Sequence, residues 1–475
     1  MMRDISLVIL VCLLLGGIFF PATAQMCPLP LLDPQIIGDR FYTNPLGLSD
    51  IGDPFILPAD GKYYAFATGG TVGFYVWESE DLRSFGNRQK AFTRADWASG
   101  DYWAPEVYEH EGQYVMFYSA RRKSDRSLRV GVAVSERPEG PYEDPLGEPL
   151  FDFGYAAIDA SLLIDAQGTP YLYYSRDCSE NVVNGRHESH LYALELDKTL
   201  LETAGDPVLL TVPDQPWEKH SGDWRWNEGP SVINRNGSYY LYYSANYFAS
   251  KEYGVGYAVS DNPLGPFRKP KDNQLLGYLE DEKKVLISGP GHNSFFRAGH
   301  ELFTAYHTHR YPLAPSGNRQ LNLDRAGFHQ DGTAYINGPS LGKRLRPLED
   351  IGLTNATVTA ALTAGSGEAE LLRDGDECLA SMAYAWQPDE GKAWAEMTWV
   401  NPVISDCVLF YPSIKQSSKG SVIVNGSDII LFEFSSEHLS GEPLILHFAL
   451  MDIKSLRLEL EGMPAIGEIR VLAKP

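Results

Sequence analysis

Three acidic residues and one histidine hold equivalent places in a repeated sequence pattern. They are Asp53, Asp159, Glu228 and His292, and each precedes an apolar segment, a turn with glycine and an aromatic segment. Carboxyl groups that are crowded together repel, so one keeps its proton while another is ionised. Such a pair can protonate a leaving oxygen and activate a water, as glycosidic bond cleavage requires. A buried polar network or a metal site is the structural alternative.

The pattern that carries these residues occurs five times, with turn glycines at positions 61, 112, 168, 237 and 299. Short strands joined by glycine turns predict one antiparallel sheet for each repeat, and sheets repeated radially form a β-propeller. We therefore predict an all-β chain whose residues 33–345 form a five-bladed propeller. The innermost strand of each blade starts near the central channel, so the residues that open these strands should meet at one pocket.

Residues 347–475 lack the repeat and alternate apolar with polar residues, which predicts a separate β-sandwich or jelly roll.

At the N-terminal end, Arg3 precedes an apolar run that is followed by Ala22-Thr23-Ala24. This pattern predicts a signal peptide over residues 1–24 and a secreted or periplasmic protein without a further membrane span. An uncleaved anchor helix and a lipoprotein lipidated at Cys27 are the alternatives.

The composition narrows the choice of partner. The formal net charge of −22 disfavours nucleic acid and acidic lipid surfaces, whereas a neutral ligand is compatible with it. The cysteines show no metal-binding spacing, and Cys378 with Cys407 is the pair most suited to a disulfide in an oxidising compartment. Composition does not indicate the oligomeric state.

The motifs that open the five repeats carry a resemblance. They are Gly52-Asp53-Pro54, Trp103-Ala104-Pro105-Glu106, Ile158-Asp159-Ala160, Glu228-Gly229-Pro230 and Gly289-Pro290-Gly291-His292-Asn293-Ser294. Over about residues 33–340 the chain resembles the family 43 glycoside hydrolases, which are five-bladed propeller enzymes acting on plant and microbial polysaccharides. The resemblance implies an inverting mechanism, with Asp53 as general base, Glu228 as general acid and Asp159 as the residue that tunes and positions the acid.

The same resemblance implies further site residues. His292 matches a histidine under the active centre, often beside a hydrated calcium ion, although a hydrogen-bonded core histidine is an equal alternative. Arg319 matches a sugar-contacting arginine, with a surface salt bridge as the alternative. Trp103 resembles the aromatic wall of the sugar subsite, with a blade-core role as the alternative. Glu106 is interpreted as structural.

The substrate expected from this resemblance is an oligo- or polysaccharide cut by an α-L-arabinofuranosidase or β-xylosidase, with exo action favoured. Endo-arabinanase, galactan-directed and galactofuranoside-directed activities remain open, as does a non-catalytic glycan-binding propeller. A retaining, fructose-directed propeller is disfavoured because its Asn-Asp-Pro-Asn-Gly type of motif is absent. Specificity should depend on the loops at residues 177–190, 213–226, 247–253 and 307–318. The C-terminal part resembles a galactose-binding-like, discoidin-type domain, for which a packing role is expected.

Overall fold

The computed structural model describes residues 38–219, 222–377, 382–413, 416–436 and 441–475. The chain divides into two compact units, one built mainly on residues 39–351 and the other mainly on residues 352–475. The predicted signal segment 1–24, Cys27 and Cys378 lie outside the described residues. Within the described part, no helix has the length and apolar character needed to cross a membrane.

The first unit contains five antiparallel sheets that follow one another along the chain, and the strands of each sheet are hydrogen-bonded in chain order. We number these sheets as blades 1 to 5. Their strands are Phe55–Ala59, Lys62–Phe66, Phe74–Ser79 and Gly86–Phe92 in blade 1; Ala98–His110, Gln113–Arg122 and Leu128–Ser135 in blade 2; Ala157–Ile164, Pro170–Arg176, His190–Glu195 and Val208–Thr211 in blade 3; Asn227–Arg235, Ser238–Ala245, Gly254–Ser260 and Gln274–Leu276 in blade 4; and Gly291–Ala298, Glu301–His309, Arg319–Phe328 and Ala334–Ile336 in blade 5.

The five blades close into a ring. The first strand of each blade contacts the first strand of the next, and that of blade 5 contacts that of blade 1. The Ser294 hydroxyl donates a hydrogen bond to the Pro54 carbonyl, which joins blade 5 directly to blade 1. The strand Phe41–Asn44 pairs with Gly342–Leu345 and so connects the two ends of the unit. The predicted five-bladed propeller is confirmed by this closed order.

Apolar side chains fill the spaces between neighbouring blades. Five separate clusters each combine residues of two adjacent blades, including the cluster that joins blade 5 to blade 1. Aromatic residues from the second strands, such as Tyr118, Tyr174 and Tyr242, are fully buried there. Because each large buried side chain contributes roughly 1.5–3 kcal/mol, this packing explains the aromatic second segment of the repeat.

Smaller elements lie in the segments that connect the strands of the propeller. Two short sheets are formed by Val182–Val183, Arg186–Glu188 and Trp224–Arg225, and by Leu279–Asp281 and Lys284–Ile287. A single 3₁₀ turn, Pro216–Glu218, precedes blade 4. The first of these sheets combines two of the loops that the sequence assigned to specificity.

The second unit is also built from β-strands. Its sheet contains Thr354–Asn355, Ala361–Ala364, Trp394–Pro412, Gln416–Val424, Asp428–Ser436, Leu444–Leu460 and Ile466–Ala473, with 3₁₀ turns at Ala356–Thr359, Ala369–Leu372 and Met382–Tyr384. The long strand Trp394–Pro412 pairs with Ala361–Ala364 near its start and with Ile466–Ala473 near its end. The buried apolar side chains of this unit form one core, which is compatible with the predicted β-sandwich. Its galactose-binding-like character stays a prediction.

Candidate active site

The inner strands begin with an unusual backbone conformation. Asp53, Asp159 and His292 have φ of 53°, 58° and 49°, the left-handed region that residues with a side chain rarely adopt. Glu228 is followed by Gly229, which also has positive φ. The pairing register of the inner strand shifts at this level in blades 2 to 5. Bulges and backbone outliers of this kind are typical of functional sites.

Asp53 is the ionised carboxylate of the site. Its Oδ1 lies 2.7 Å from Nη1 of Arg319, and its Oδ2 accepts a hydrogen bond from the Thr68 hydroxyl. Burial raises the pKa of Asp53, but the positive charge of Arg319, the histidines beside it and the Thr68 hydrogen bond outweigh burial and hold that pKa well below its usual range. Asp53 can therefore accept a proton from water.

Two histidines flank Asp53. Nδ1 of His292 lies 3.3 Å from Asp53 Oδ1, and Nδ1 of His307 lies 3.6 Å from the same oxygen. The backbone N–H of Asp53 donates to Nδ1 of His307. Burial and the charge of Arg319 lower the pKa of His307 well below its usual value, so its ring is neutral. His307 thus positions Asp53 by accepting a hydrogen bond from its backbone.

Asp159 is buried next to the strand opening of blade 4. Its Oδ2 accepts a hydrogen bond of 3.2 Å from the backbone N–H of Gly229, and its own N–H donates to the Ser119 hydroxyl. Burial raises the pKa of Asp159, and the negative charge of Asp53 adds to the increase. This arrangement fixes Asp159 beside the residue that follows Glu228, as the tuning role implied by the resemblance requires.

Glu228 has the opposite protonation preference to Asp53. Burial of its carboxyl group raises the pKa of Glu228 well above its usual value, and the negative charges of Asp159 and Asp177 raise it further. The Tyr253 hydroxyl donates to Oε1 of Glu228 at 3.2 Å and lowers the pKa by a smaller amount. Glu228 can therefore hold a proton at a pH at which Asp53 has lost its own.

Arg319 and Trp103 occupy different environments. The Arg319 side chain is largely buried against Asp53, so the alternative of a surface salt bridge is wrong. A Cβ at Gly52 would lie 2.0 Å from the Arg319 guanidinium, so only glycine leaves space for this contact.

Trp103 is half-buried and packs against the apolar cluster of Leu128, Ala156 and Ile158. Packing is thus part of its role, and sugar contact by Trp103 stays a prediction.

Glu106 belongs to a separate polar network. Its carboxylate accepts a hydrogen bond from the Tyr108 hydroxyl, which also lies 3.2 Å from the Ser161 hydroxyl. Burial raises the pKa of Glu106 to about 7, and the hydrogen bonds from Tyr108 and Ser161 reduce that increase. The network links the inner strands of blades 2 and 3, which agrees with the structural interpretation of Glu106.

The residues near the axis fit a hydrated cation better than a directly bound one. Among the described residues, no group of three or more His, Cys, Asp or Glu side chains has the arrangement of a metal site. Calcium prefers six to eight oxygen ligands, many of which can be waters. Asn293 follows His292, and both polar atoms of its buried side chain lack a hydrogen-bond partner in the structure. A water shell could satisfy that amide, so calcium held through water near His292 stays a prediction.

Several functional side chains lacked a signal in the sequence. Thr68 lies in a connecting segment that no motif marked, and Asp177 and Tyr253 stand at the ends of loops that the sequence assigned to specificity but not to contact with Glu228. The sequence assigned His307 to a loop, but it lies within the strand Glu301–His309 and is fully buried. Trp217 was also assigned to a loop at the pocket, yet its ring packs on Tyr243 and its Nε1 donates to Asn273.

A carboxyl group whose pKa is lowered, paired with one whose pKa is raised, is the combination that glycosidic bond cleavage uses. The family model described as glycosyl hydrolases family 43 matches residues 42–334, and the chain belongs to this family. A crystal structure of a thermostable family-43 glycoside hydrolase is 44% identical, with a TM-score of 0.61, over 64% of this chain and 99% of that chain.

Two curated relatives are less similar. A β-D-galactofuranosidase of Aspergillus niger is 29% identical over 48% of this chain and 63% of its own length. An arabinoxylan arabinofuranohydrolase of Paenibacillus polymyxa is 23% identical over 61% of this chain and 51% of its own length. The chain therefore spans less than two thirds of either relative.

Proposed function

We propose that this protein is an inverting glycoside hydrolase with Asp53 as general base and Glu228 as general acid. The observation that carries the proposal is the opposite protonation preference of the two carboxyl groups, one lowered in pKa by Arg319 and the other raised by burial and Asp159. Family membership supports the same reaction class.

The chemistry proceeds in one displacement. Asp53 removes a proton from a water as the water oxygen forms a bond to the anomeric carbon, and Glu228 donates its proton to the glycosidic oxygen as that bond breaks. One water is consumed, and the products are a sugar of inverted configuration and a free hydroxyl. At the end of the step Asp53 holds a proton taken from the water and Glu228 is ionised, and proton exchange with solvent restores both groups. Separation of the two carboxyl groups by about 6.5–9.5 Å would admit the water.

The proposed substrate is an α-L-arabinofuranoside or β-xyloside at the end of an oligo- or polysaccharide chain. The name of the arabinoxylan-directed relative supports arabinofuranose, whereas that of the Aspergillus niger relative favours galactofuranose as the second candidate. Nitrophenyl glycosides of arabinofuranose, xylose, galactose and galactofuranose separate these cases. Hydrolysis of none of the four, by a folded protein, would contradict the proposal.

A glycan-binding propeller without turnover is the competing function. Asp53→Asn preserves the size of the side chain and removes the base, so it should reduce turnover by about 10²–10⁴-fold. Proton NMR of the first product formed should show the inverted anomer. Retention of configuration, or normal turnover by a folded Asp53→Asn protein, would exclude the assigned roles.

Secretion, a hydrated calcium ion near His292 and a packing role for the C-terminal unit complete the proposal. All candidate catalytic residues belong to the propeller unit, which leaves the second unit without an assigned chemical step. Dialysis against a chelator, followed by activity and thermal-unfolding measurements with and without added calcium, would test the ion. An unchanged midpoint and rate would remove calcium from the proposal.

A further inference from the structure

Two loops that are distant in sequence form a small sheet at the edge of the propeller. The strand Arg186–Glu188 pairs with Trp224–Arg225, and His187 lies opposite Trp224 in the register. The two rings stack at 4.1 Å with an interplanar angle of 6°. One loop connects the second and third strands of blade 3 and the other leads into blade 4, so their pairing creates an aromatic surface that neither loop has alone.

This surface continues as a row of rings. Trp224 stacks on Trp226 at 6.1 Å, Trp226 lies 5.7 Å from Tyr247, and Tyr247 lies 4.9 Å from Phe248. We call His187, Trp224, Trp226, Tyr247 and Phe248 the aromatic row. Trp224 and Tyr247 are 41% and 45% exposed, although rings of this size are usually mostly buried in a folded protein.

The aromatic row reaches the candidate active site at two points. The guanidinium of Arg319, which pairs with Asp53, lies 5.2 Å from the centre of the Phe248 ring. At the second point, Trp226 precedes Glu228 by only two residues in the sequence. The row is therefore continuous with the surroundings of the proposed base and acid.

Hydrogen bonds hold the row in place. Nδ1 of His187 bonds to the Cys178 carbonyl at 2.7 Å, and Nε2 of His309 bonds to the Phe248 carbonyl at 2.8 Å. The Asn246 side chain, which directly precedes Tyr247, donates to the carbonyl of Glu252 in the same loop and to the carbonyl of Trp217 in the preceding one. Because these contacts exist without a ligand, binding to the row would cost little ordering of its backbone.

We propose that the aromatic row binds the leaving-group part of a carbohydrate chain, beyond the glycosidic oxygen that Glu228 protonates. This inference rests on the proposed function, which makes Glu228 the acid and so places the leaving group on its side. The faces of sugar rings present C–H groups, which pack well against the electron-rich faces of aromatic rings. Rings that contact one another in succession suit an extended chain, and they require no charge on that chain.

The test uses the full-length protein and substrates of two kinds. A nitrophenyl glycoside of the preferred sugar has a leaving group too short to extend along the row, whereas oligosaccharides of about two to six units have longer ones. For the wild type, kcat/KM should rise with chain length. Trp224→Ala and Tyr247→Ala should each reduce kcat/KM on the long oligosaccharides by about tenfold, the scale of one aromatic contact. On the nitrophenyl glycoside both should stay within about twofold of the wild type.

Tyr114→Ala is the matched control. Tyr114 is a half-buried aromatic residue beside the Gly112 turn, at the opposite end of blade 2 from its opening motif. It should leave the dependence on chain length unchanged. Circular dichroism and thermal midpoints would verify that each variant folds.

Two results separate this inference from the proposed function. Hydrolysis of the nitrophenyl glycoside, combined with an unchanged chain-length dependence in the Trp224→Ala/Tyr247→Ala double variant, would overturn the binding role and leave the function intact. If the wild type hydrolyses no glycoside, the proposed function fails. Tryptophan fluorescence titration with xylo- and arabino-oligosaccharides then tests the row directly: saturable quenching lost in Trp224→Ala supports it, and unchanged quenching in that variant, or no quenching, refutes it.

Discussion

The Tyr253 hydroxyl donates a hydrogen bond of 3.2 Å to Oε1 of Glu228. The ring of the same tyrosine lies parallel to that of His307, with centroids 5.5 Å apart, and His307 accepts the backbone N–H of Asp53. A Cβ at Gly291 would lie 2.2 Å from the Tyr253 ring, so glycine there makes room for it. One buried tyrosine thus connects the surroundings of the proposed acid and base.

Tyr253→Phe should raise the pKa of Glu228. The hydrogen bond from Tyr253 favours the ionised carboxylate, so its removal makes deprotonation harder. The basic limb of the profile of kcat/KM against pH should therefore move to higher pH. Tyr173→Phe removes a buried hydroxyl that bonds to the Pro263 carbonyl and should leave the profile unchanged. A basic limb that stays in place or moves down would contradict the proposed contact.

Arg319→Gln should move the acidic limb of the profile of kcat/KM against pH to higher pH. The charge of Arg319 is the largest of the influences that lower the pKa of Asp53, and burial, which raises it, would remain. Asp53 would then be protonated, and activity lost, at a higher pH than in the wild type. The measurement is again kcat/KM across the pH range, with the exposed Arg297 changed to glutamine as a control. An acidic limb that is identical in both proteins would show that Arg319 does not control Asp53.

Glu228→Gln should reduce turnover more for substrates with poor leaving groups than for substrates with good ones. A natural glycoside needs a proton on its departing oxygen, whereas a nitrophenolate leaves readily without one. The expected loss on oligosaccharides is about 10²–10⁴-fold, and the loss on nitrophenyl glycosides should be much smaller. Equal losses on both substrates would indicate that Glu228 has another role.

Glu106→Gln should leave turnover nearly unchanged and alter the dependence of stability on pH. Burial raises the pKa of Glu106 from 4.5 to about 7, so between these values the folded protein binds a proton that the unfolded chain has released. Stability conferred by this group is present below about pH 4.5 and is lost as pH rises towards 7, by up to about 3 kcal/mol.

The glutamine variant cannot titrate and should lack that loss. Urea unfolding of both proteins at pH 5 and pH 8 measures the difference, and Glu109→Gln, at an exposed position of the same strand, is the control. A variant whose stability changes with pH in parallel with the wild type would contradict the pKa shift. A large loss of turnover at unchanged stability would contradict the structural interpretation of Glu106.

The repeat made much of the fold predictable. Strand alternation, turn glycines and aromatic second strands are local properties, so five blades and the residues that open them can be recognised without coordinates. The position of a residue within a repeat defines its level along the propeller axis. The repeat alone therefore identified four candidate site residues, which are Asp53, Asp159, Glu228 and His292. The proposed roles of Asp53 and Glu228 came from the family resemblance.

The tertiary structure alone determined what surrounds those residues. His307 lies 254 positions from Asp53 in the sequence, and Tyr253 reaches Glu228 from the next connecting segment. The role of His307 depends on ring closure, which brings blade 5 beside blade 1, whereas Tyr253 and Glu228 belong to blade 4 and meet through the folding of that blade. The aromatic row likewise depends on the tertiary structure, because its rings come from three loops that are separate in the sequence. The sequence supplied the chemistry of the individual groups, while ring closure set their distances and therefore their pKa values.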